Sequence, residues 1–487
     1  MVGVPGRSKA CSTCRKRKKG CDRKRPVCSQ CSAVGLECGS YERERVFLNH
    51  SQDTEAGSVH VVYRKELAGK SHNLSGVTDI VLPRELTRSA YVEKYIGIFL
   101  SKFLPGGRSL PTGSSDYTHT WVKIAHDLHT SDKAIQLSLT SLGLFAVGES
   151  RLALQCYSYA LHMLQIALCS PYRPPDDSTL AACKIFSLFE MFHGDDGDAL
   201  SQGIKWLSHL NGQLAIVKAR SPYEYQTGVS HQLFTDGRYP LLISSIKDRT
   251  RFPLNTPEWR TIPWQQQPKS HKDKLEDILA DLTEVLVDTD QMHCCEDIVE
   301  KANRRREIVK ACQDLNQSLQ HWVREAGPLK DFHDSNGLLI DRSDLCDIPL
   351  AHLTVIYWTT CVILYSTLIS VYGPSLSEIP ASIDPKPYIQ KVLRALPFFW
   401  QPGAGTSSAS MAAFPLGTCM NIAYAAPDHF QEECAIADGL VSRPDIKGTI
   451  IKFLYSLHKG AAKPELAQIE GKQGIALRAR SWMMGKQ

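Results

Sequence analysis

The 487-residue chain, 43% of it hydrophobic, can bury at least one large core, which excludes a disordered tail or a mini-protein. Its 56 Lys and Arg against 51 Asp and Glu leave a net charge of only +5, so the average says little about partners. The distribution says more: residues 1–50 carry a net +8 and residues 51–487 a net −3.

The N-terminus reads MVGVPGRSKAC, with no apolar run behind its basic residues, so neither a secretory signal nor a transit peptide is expected and the compartment should be reducing. In that setting 16 cysteines point to metal ligands or buried thiols, because stable disulfides are rare there. Cys11, Cys14, Cys21, Cys28, Cys31 and Cys38 form C-x2-C-x6-C twice, the second half displaced from the first by 17 residues. Such C-x2-C pairs suit tetrahedral zinc, which takes two thiolates from one tight turn and others from farther along. Two four-coordinate ions need more ligand places than six cysteines offer unless two of them bridge. The internal symmetry requires an equivalent pair: Cys11 with Cys28, Cys14 with Cys31, or Cys21 with Cys38. A segment this short cannot bury an apolar core, and structural zinc supplies on the order of 10–16 kcal/mol in small domains.

The two halves carry different cargo. RKRKKG lies between Cys14 and Cys21, whereas SAVGLE, with no basic residue, lies between Cys31 and Cys38. Only the first half is equipped to meet phosphate, and Arg23, Lys24 and Arg25 extend its cationic surface. Two Zn2+ and six thiolates sum to a small negative charge, so the segment stays at about +6 with the metal counted.

The stretch CSTCRKRKKGCDRKRPVCSQCSAVGLEC resembles the zinc binuclear cluster of fungal Zn2Cys6 transcription factors. The resemblance implies that Cys11 and Cys28 bridge, with one zinc on Cys11, Cys14, Cys21 and Cys28 and the other on Cys28, Cys31, Cys38 and Cys11. It also implies a basic helix in the major groove of double-stranded DNA reading a CGG triplet. Arg17 and Lys18 are then the base-reading candidates, their donors suiting guanine O6 and N7. Arg15, Lys16, Lys19 and Arg23 are placed as phosphate contacts, which give affinity without sequence information. Pro26 matches the family's loop proline, and Gly20 departs from the Lys often found before the third cysteine. Nuclear localisation follows from the same resemblance, and the basic run doubles as an import signal.

Residues 41–85 turn polar and aperiodic (SQDTEAGS, KSHNLSG) and read as a linker. The apolar triplet Val46, Phe47 and Leu48 sustains no heptad seam, so a coiled-coil dimer and paired half-sites are not expected. From about Leu86 helical patterns recur between proline-marked breaks. Leu152, Cys156, Tyr159, Ala160, Met163 and Ala167 fall on one helical face, as do Ile204, Leu207, Leu210, Leu214 and Val217. Leu275, Ile278, Leu279, Leu282, Val285 and Leu286 repeat the pattern. A helix over 298–323 turns Leu315, Leu319 and Trp322 inward and leaves Arg304, Arg305 and Arg306 as a solvated face. Leu353 to Val371 is uncharged and long enough to span a bilayer, but its Thr and Ser content favours a buried helix, and no membrane partner is expected. Residues 395–427 mix loop with buried helix.

The segments LPRELTRSAYVEKYIGIFLSKFLP, WLSHLNGQLAIVKARSP and FPLNTPEWRTIPW resemble the helical regulatory domain that follows the cluster in many family members, which implies modulation of activation through coactivators, effectors or a second regulator chain. The remaining features read as structure. His193 with Asp195, Asp196 and Asp198 suits an interhelical turn, Gly403 and Gly405 lack the rest of a dinucleotide motif, and Cys294 with Cys295 is expected to be buried rather than a redox switch. The expected fold class is mostly α: a Zn2Cys6 domain over 8–40, a flexible linker over 41–85, a large all-α regulatory domain over 86–460 and a C-terminal tail over 461–487. The expected function is zinc-dependent, sequence-specific regulation of transcription without enzymatic activity, extending to pathway-specific activation of a secondary-metabolite gene cluster. The rival reading is a zinc-dependent protein-binding adaptor or repressor without DNA specificity of its own.

Overall fold

The computed structural model describes residues 10–38 except 12, 15, 16, 18, 25 and 26, and residues 88–459 except 108–119, 170–173, 194–198, 333–344, 373–382 and 444–449. The linker, the tail and the Val46 to Leu48 triplet lie outside these residues. The chain divides into two units, residues 1–81 and 82–487. Among the described residues the secondary structure is helical and contains no strand.

In the N-terminal unit the described residues include the short helix α1 (Ser29–Ser32) and a core made of Ala10, Cys11, Cys14, Cys28 and Cys31, with Cys21 and Cys38 packed against it. Val27, Val34 and Leu36 point outward, so no apolar side chain larger than cysteine is buried among the described residues of this unit.

The second unit begins with α2 (Ser89–Phe103), α3 (Trp121–Leu128), α4 (Lys133–Phe145), α5 (Ser150–Leu168), α6 (Asp177–His193) and α7 (Ala199–Lys218). It continues with α8 (Gly228–Asp248), α9 (Pro257–Thr261), α10 (His271–His293) and α11 (Ile298–Ala326). It closes with α12 (Ile348–Tyr372), α13 (Lys386–Ala395), α14 (Gly405–Met411), α15 (Ala413–Ala425), α16 (Gln431–Val441) and α17 (Ile450–Lys459). Neighbours in sequence pack as neighbours in space, with α4 on α5, α6 on α7 and α10 on α11, while α8 joins the α6 and α10 layers. Short polar residues start some of the helices: Asp132 accepts from the Ile135 N–H at 3.0 Å, and Ser270 and Asp273 form a reciprocal box at the head of α10.

The face expected on α10 is buried throughout, and Leu315, Leu319 and Trp322 of α11 point inward with Arg305 and Arg306 exposed. Two other faces are turned from the expected ones. On α5 the inward residues are Ala153, Cys156, Tyr157, Ala160 and Leu164, while Leu152, Tyr159 and Met163 are half-buried. The reason is Tyr157, whose ring stacks on Phe189 at 3.9 Å and whose hydroxyl lies 3.0 Å from His209 Nε2. On α7, Leu210 and Val217 are buried but Ile204 is 55% exposed, and Gln202, Trp206, Gln213 and Ile216 turn inward instead. Gln202 donates to the Glu190 and Met191 carbonyls at 2.7 and 3.1 Å, which are orphan acceptors of the last turn of α6. Gly203 lets α17 approach, since a Cβ there would stand 2.8 Å from the Ser456 carbonyl oxygen. An apolar count misses a polar side chain that must face in to close a neighbouring helix.

The uncharged stretch lies in α12, which by length and composition could cross a membrane and whose most apolar window is 83% buried inside this unit. It packs against α10, α11, α13 and α15, and Thr354, Thr359, Thr360 and Thr367 donate to the carbonyls four residues back. Cys294 and Cys295 correct the expectation of burial: they stand at the end of α10, exposed and half-buried respectively. His193 stacks flat on Phe145 at 4.4 Å, and Asp195, Asp196 and Asp198 lie outside the described residues. Gly405, at φ +74°, sits where a Cβ would collide with the Phe103 carbonyl oxygen at 2.4 Å, so its role is close packing of α14 on α2.

Where α6, α8 and α10 meet, eight ionisable groups cluster: Lys184, Asp236, Arg238, Lys269, Lys272, Asp273, Glu276 and Asp277. All but Lys269 are buried, and the eight comprise four acids and four bases. Asp236 accepts from the Trp121 N–H at 3.0 Å and faces Lys272 Nζ at 3.4 Å, tying the start of α3 to α10. Arg238 bonds Asp277 at 2.5 Å and lies over Trp264 at 4.8 Å. Glu276 has only the longer pairs, 3.7 Å to Lys272 and 3.7 Å to Arg238, with Asp273, Asp236 and Tyr239 also facing it. Removing one partner of such a buried set costs about 3–5 kcal/mol, because the other charge is left uncompensated.

Burial raises the Glu276 carboxyl from an ordinary 4.5 to about 7. A proton held more tightly in the folded state contributes stability that is complete below the unfolded value and is lost as pH rises through about 7. Chemical denaturation at pH 5 and pH 8 is expected to show Glu276→Gln removing roughly 1–3 kcal/mol of that decline. An identical pH dependence in wild type and variant would refute this role for Glu276.

Candidate metal centre and nucleic-acid surface

Two groups of four cysteines each bring their sulfurs within 4.8 Å of one another: Cys11, Cys14, Cys21 and Cys28, and Cys11, Cys28, Cys31 and Cys38. Cys11 and Cys28 stand in both groups, 3.8 Å apart. Cys14 lies 3.6 Å from Cys28 in the first group, and Cys31 lies 3.7 Å from Cys11 in the second. These separations far exceed a disulfide bond and match the roughly 3.8 Å expected between sulfurs around a tetrahedral zinc with Zn–S of about 2.3 Å. The donor set therefore fits two zinc ions, and the clustered cysteines are consistent with a binuclear Zn2Cys6 site.

The backbone repeats with the sequence. The Cys14 N–H donates to Cys11 Sγ and the Cys31 N–H to Cys28 Sγ, both at 3.4 Å. The Lys19 N–H reaches the Cys14 carbonyl at 3.1 Å, and the Leu36 N–H reaches the Cys31 carbonyl at 3.0 Å, again displaced by 17 residues. Each C-x2-C pair is thus the head of one tight turn whose amides point at sulfur, an arrangement that favours thiolate over thiol.

Charge explains why the cage calls for cations. Burial pushes the Cys14 thiol up to about 12 and raises Cys31 and Cys28 as well. Cys21 moves the other way, to about 6, chiefly through the backbone N–H of Cys11 and, against some burial, that of Arg23. Arg23 adopts a left-handed φ of +61°, costly for a side-chain-bearing residue, and this turn carries the chain past Cys21. Adjacent thiols ionise together only when a divalent ion neutralises them.

Two cross-links were not read from the sequence. Asp22 accepts from the Ser29 N–H at 3.0 Å and the Ser29 hydroxyl at 2.6 Å, which holds its carboxyl below the usual range. The Thr13 hydroxyl donates to the Glu37 carbonyl at 2.8 Å, closing one half on the other. The signal was present, since Asp22 follows the third cysteine and Ser29 the fourth, but short polar residues beside cysteines are common in turns.

Of the basic residues, Lys19 and Arg23 are exposed, and Arg17 is half-buried with one guanidinium nitrogen, Nη1, covered and without a hydrogen-bond partner. Arg15, Lys16, Lys18 and Pro26 lie outside the described residues. Each half carries one exposed acid among the described residues, Asp22 in the first and Glu37 in the second.

Residues 9–45 match the fungal Zn(2)-Cys(6) binuclear cluster domain. No curated protein and no solved structure matches the chain. The chain thus carries at its N-terminal end a domain whose family serves generally in DNA-binding transcriptional regulation, a regulatory module and not a catalytic fold.

The shared pair leads to an unequal set of variants. Metal analysis of the purified chain is expected to find two zinc ions; Cys28→Ala should lose high affinity at both sites, whereas Cys38→Ala should leave one. Retention of one full-affinity ion in Cys28→Ala would exclude a bridging role for that sulfur.

Proposed function

We propose that this protein is a nuclear, zinc-dependent transcription regulator of RNA polymerase II genes that reads CGG-like triplets in double-stranded DNA. The observation that carries the reading is the pair of four-sulfur groups sharing Cys11 and Cys28, joined in one short unit to the RKRKKG run between Cys14 and Cys21. Cys11, Cys14, Cys21 and Cys28 hold one zinc ion, and Cys28, Cys31, Cys38 and Cys11 the other. Zinc in this setting supplies folding free energy, in place of the apolar core that the unit lacks.

The division of labour within the basic run is the one that the family resemblance implies. Arg17 and Lys18 direct donors to guanine edges, and Arg15, Lys16, Lys19 and Arg23 neutralise phosphates and release counterions. The DNA-reading segment covers 8–40, a linker 41–85, and a helical regulatory domain 86–460 with a tail beyond it. That domain modulates activation by engaging coactivators or a second regulator chain. The protein acts without catalysis, and its targets are a local set of genes such as a secondary-metabolite biosynthetic cluster.

Fluorescence anisotropy of the zinc-loaded chain on a CGG duplex and a scrambled duplex, across a salt series, tests the reading. CGG preference abolished by a chelator is the expected result. Lys18→Ala should narrow that preference, whereas Lys16→Ala should weaken both duplexes alike and reduce the salt slope by about one. Equal effects of the two substitutions would overturn the division of roles, and absence of duplex binding would replace the DNA reading with the protein-adaptor one.

A further inference from the structure

The N-terminal turns of α11 carry the two most exposed large apolar side chains among the described residues, Ile298 at 82% and Val299 at 70%. They do not sit on a frayed end. Asp297 caps the helix by accepting from the Glu300 N–H at 2.8 Å, and α11 continues unbroken for 29 residues. An Ile held in water on an ordered helix leaves apolar surface that a binding partner can cover.

The turns that follow are rich in cations. Ile298, Ala302, Arg306 and Lys310 follow one another at four-residue spacing in a row that winds about 120° around the helix, with Arg305 on one side of it and Val299 on the other; the exposed Glu296 and Asp297 precede the row, and the exposed Glu300 and Glu307 flank it. Arg305, Arg306 and Lys310 are exposed. Arg304, half-buried, is the member of the run that has a carboxylate, Glu300, at 2.7 Å, and it also reaches Gln291. Arg306 donates to Asn303, and no carboxylate among the described residues pairs with Arg305, Arg306 or Lys310. A surface that opens with Ile298 and Val299 and continues with cations that have no carboxylate partner is complementary to a segment that carries both carboxylates and an apolar anchor. Phosphate backbone would use the cations and leave Ile298 and Val299 in water.

We propose that this face of α11 docks an acidic segment of a partner protein, with an apolar side chain of that segment seated against Ile298 and Val299 and its carboxylates against Arg305, Arg306 and Lys310. The site lies within the helical unit and is independent of the DNA reading. Its test uses the full chain and a fluorescein-labelled peptide built only of Asp, Glu, Leu and Phe, with an all-Glu peptide of equal charge and a scrambled duplex as the other probes. Arg305→Glu with Arg306→Glu, and separately Ile298→Ser with Val299→Ser, are each expected to weaken the mixed peptide about fivefold or more. Both variants should leave the helical circular dichroism signal and scrambled-duplex binding unchanged.

Comparison within the full chain cancels the contribution of the basic N-terminal unit, which is identical in every variant. If neither pair of substitutions affects the mixed peptide, the surface is only solvated charge and the proposal fails. It fails equally if the Ile298 and Val299 substitutions are silent and the all-Glu peptide binds as well as the mixed one. Loss of duplex binding in the arginine variant would assign the face to nucleic acid instead. Sedimentation showing that the wild type pairs with itself and the apolar variant does not would assign it to a second copy of this chain.

Discussion

Sulfur takes the place of a core in the N-terminal unit. Four cysteines and one alanine are all that is buried there among the described residues, far too little apolar surface to offset the entropy of ordering the chain. The amides of Cys14 and Cys31 point at those sulfurs, and the left-handed turn at Arg23 and the Asp22 to Ser29 clamp, which closes the second half onto the end of the first, hold the chain around them. Because the cage is built of residues with little bulk, basic side chains can crowd one half without competing for space with a core. The asymmetry between RKRKKG and SAVGLE is therefore free to serve recognition.

The helical unit meets the opposite difficulty. With abundant apolar surface, its problem is to specify which helix faces which. The uncharged α12 returns its threonine hydroxyls to its own carbonyls and meets its neighbours mostly through hydrocarbon, with the Tyr365 hydroxyl donating to Asn316 of α11 at 2.8 Å as a polar exception. Directional constraints come from the buried polar groups instead. Gln202 finds the last carbonyls of α6, Asp236 caps α3, and the set of four acids and four bases around Arg238 and Glu276 joins α8 to α10. Such groups add little net stability, yet a helix rotated by one position would leave them unpaired at a cost of several kcal/mol.

The two solutions suit different tasks. The cysteine-centred unit is small and cationic, in keeping with its family's general role in binding DNA. The helical unit offers long amphipathic elements, and on α11 the two most exposed large apolar side chains among the described residues are followed by exposed cations.

The sequence alone determined the metal-binding character of the N-terminal segment, because ligand spacing is a local property: C-x2-C makes a tight turn in any context, and its repetition after 17 residues announces two equivalent halves. It also determined that the rest is helical, through periodicity that packing later reinforced, as in the fully buried face of α10. Which pair of sulfurs stands in both groups was open among three, and the tertiary structure put Cys11 and Cys28 there by folding the second half back over the first. The inward faces of α5 and α7 were likewise decided by tertiary contacts, Tyr157 on Phe189 and Gln202 on the end of α6, which no count of apolar residues along one helix can register. The exposure of Cys294 and the eight-membered charge cluster are of the same kind. Each depends on groups brought together from distant parts of the chain, where burial and pairing are properties of the assembled fold and not of any residue taken singly.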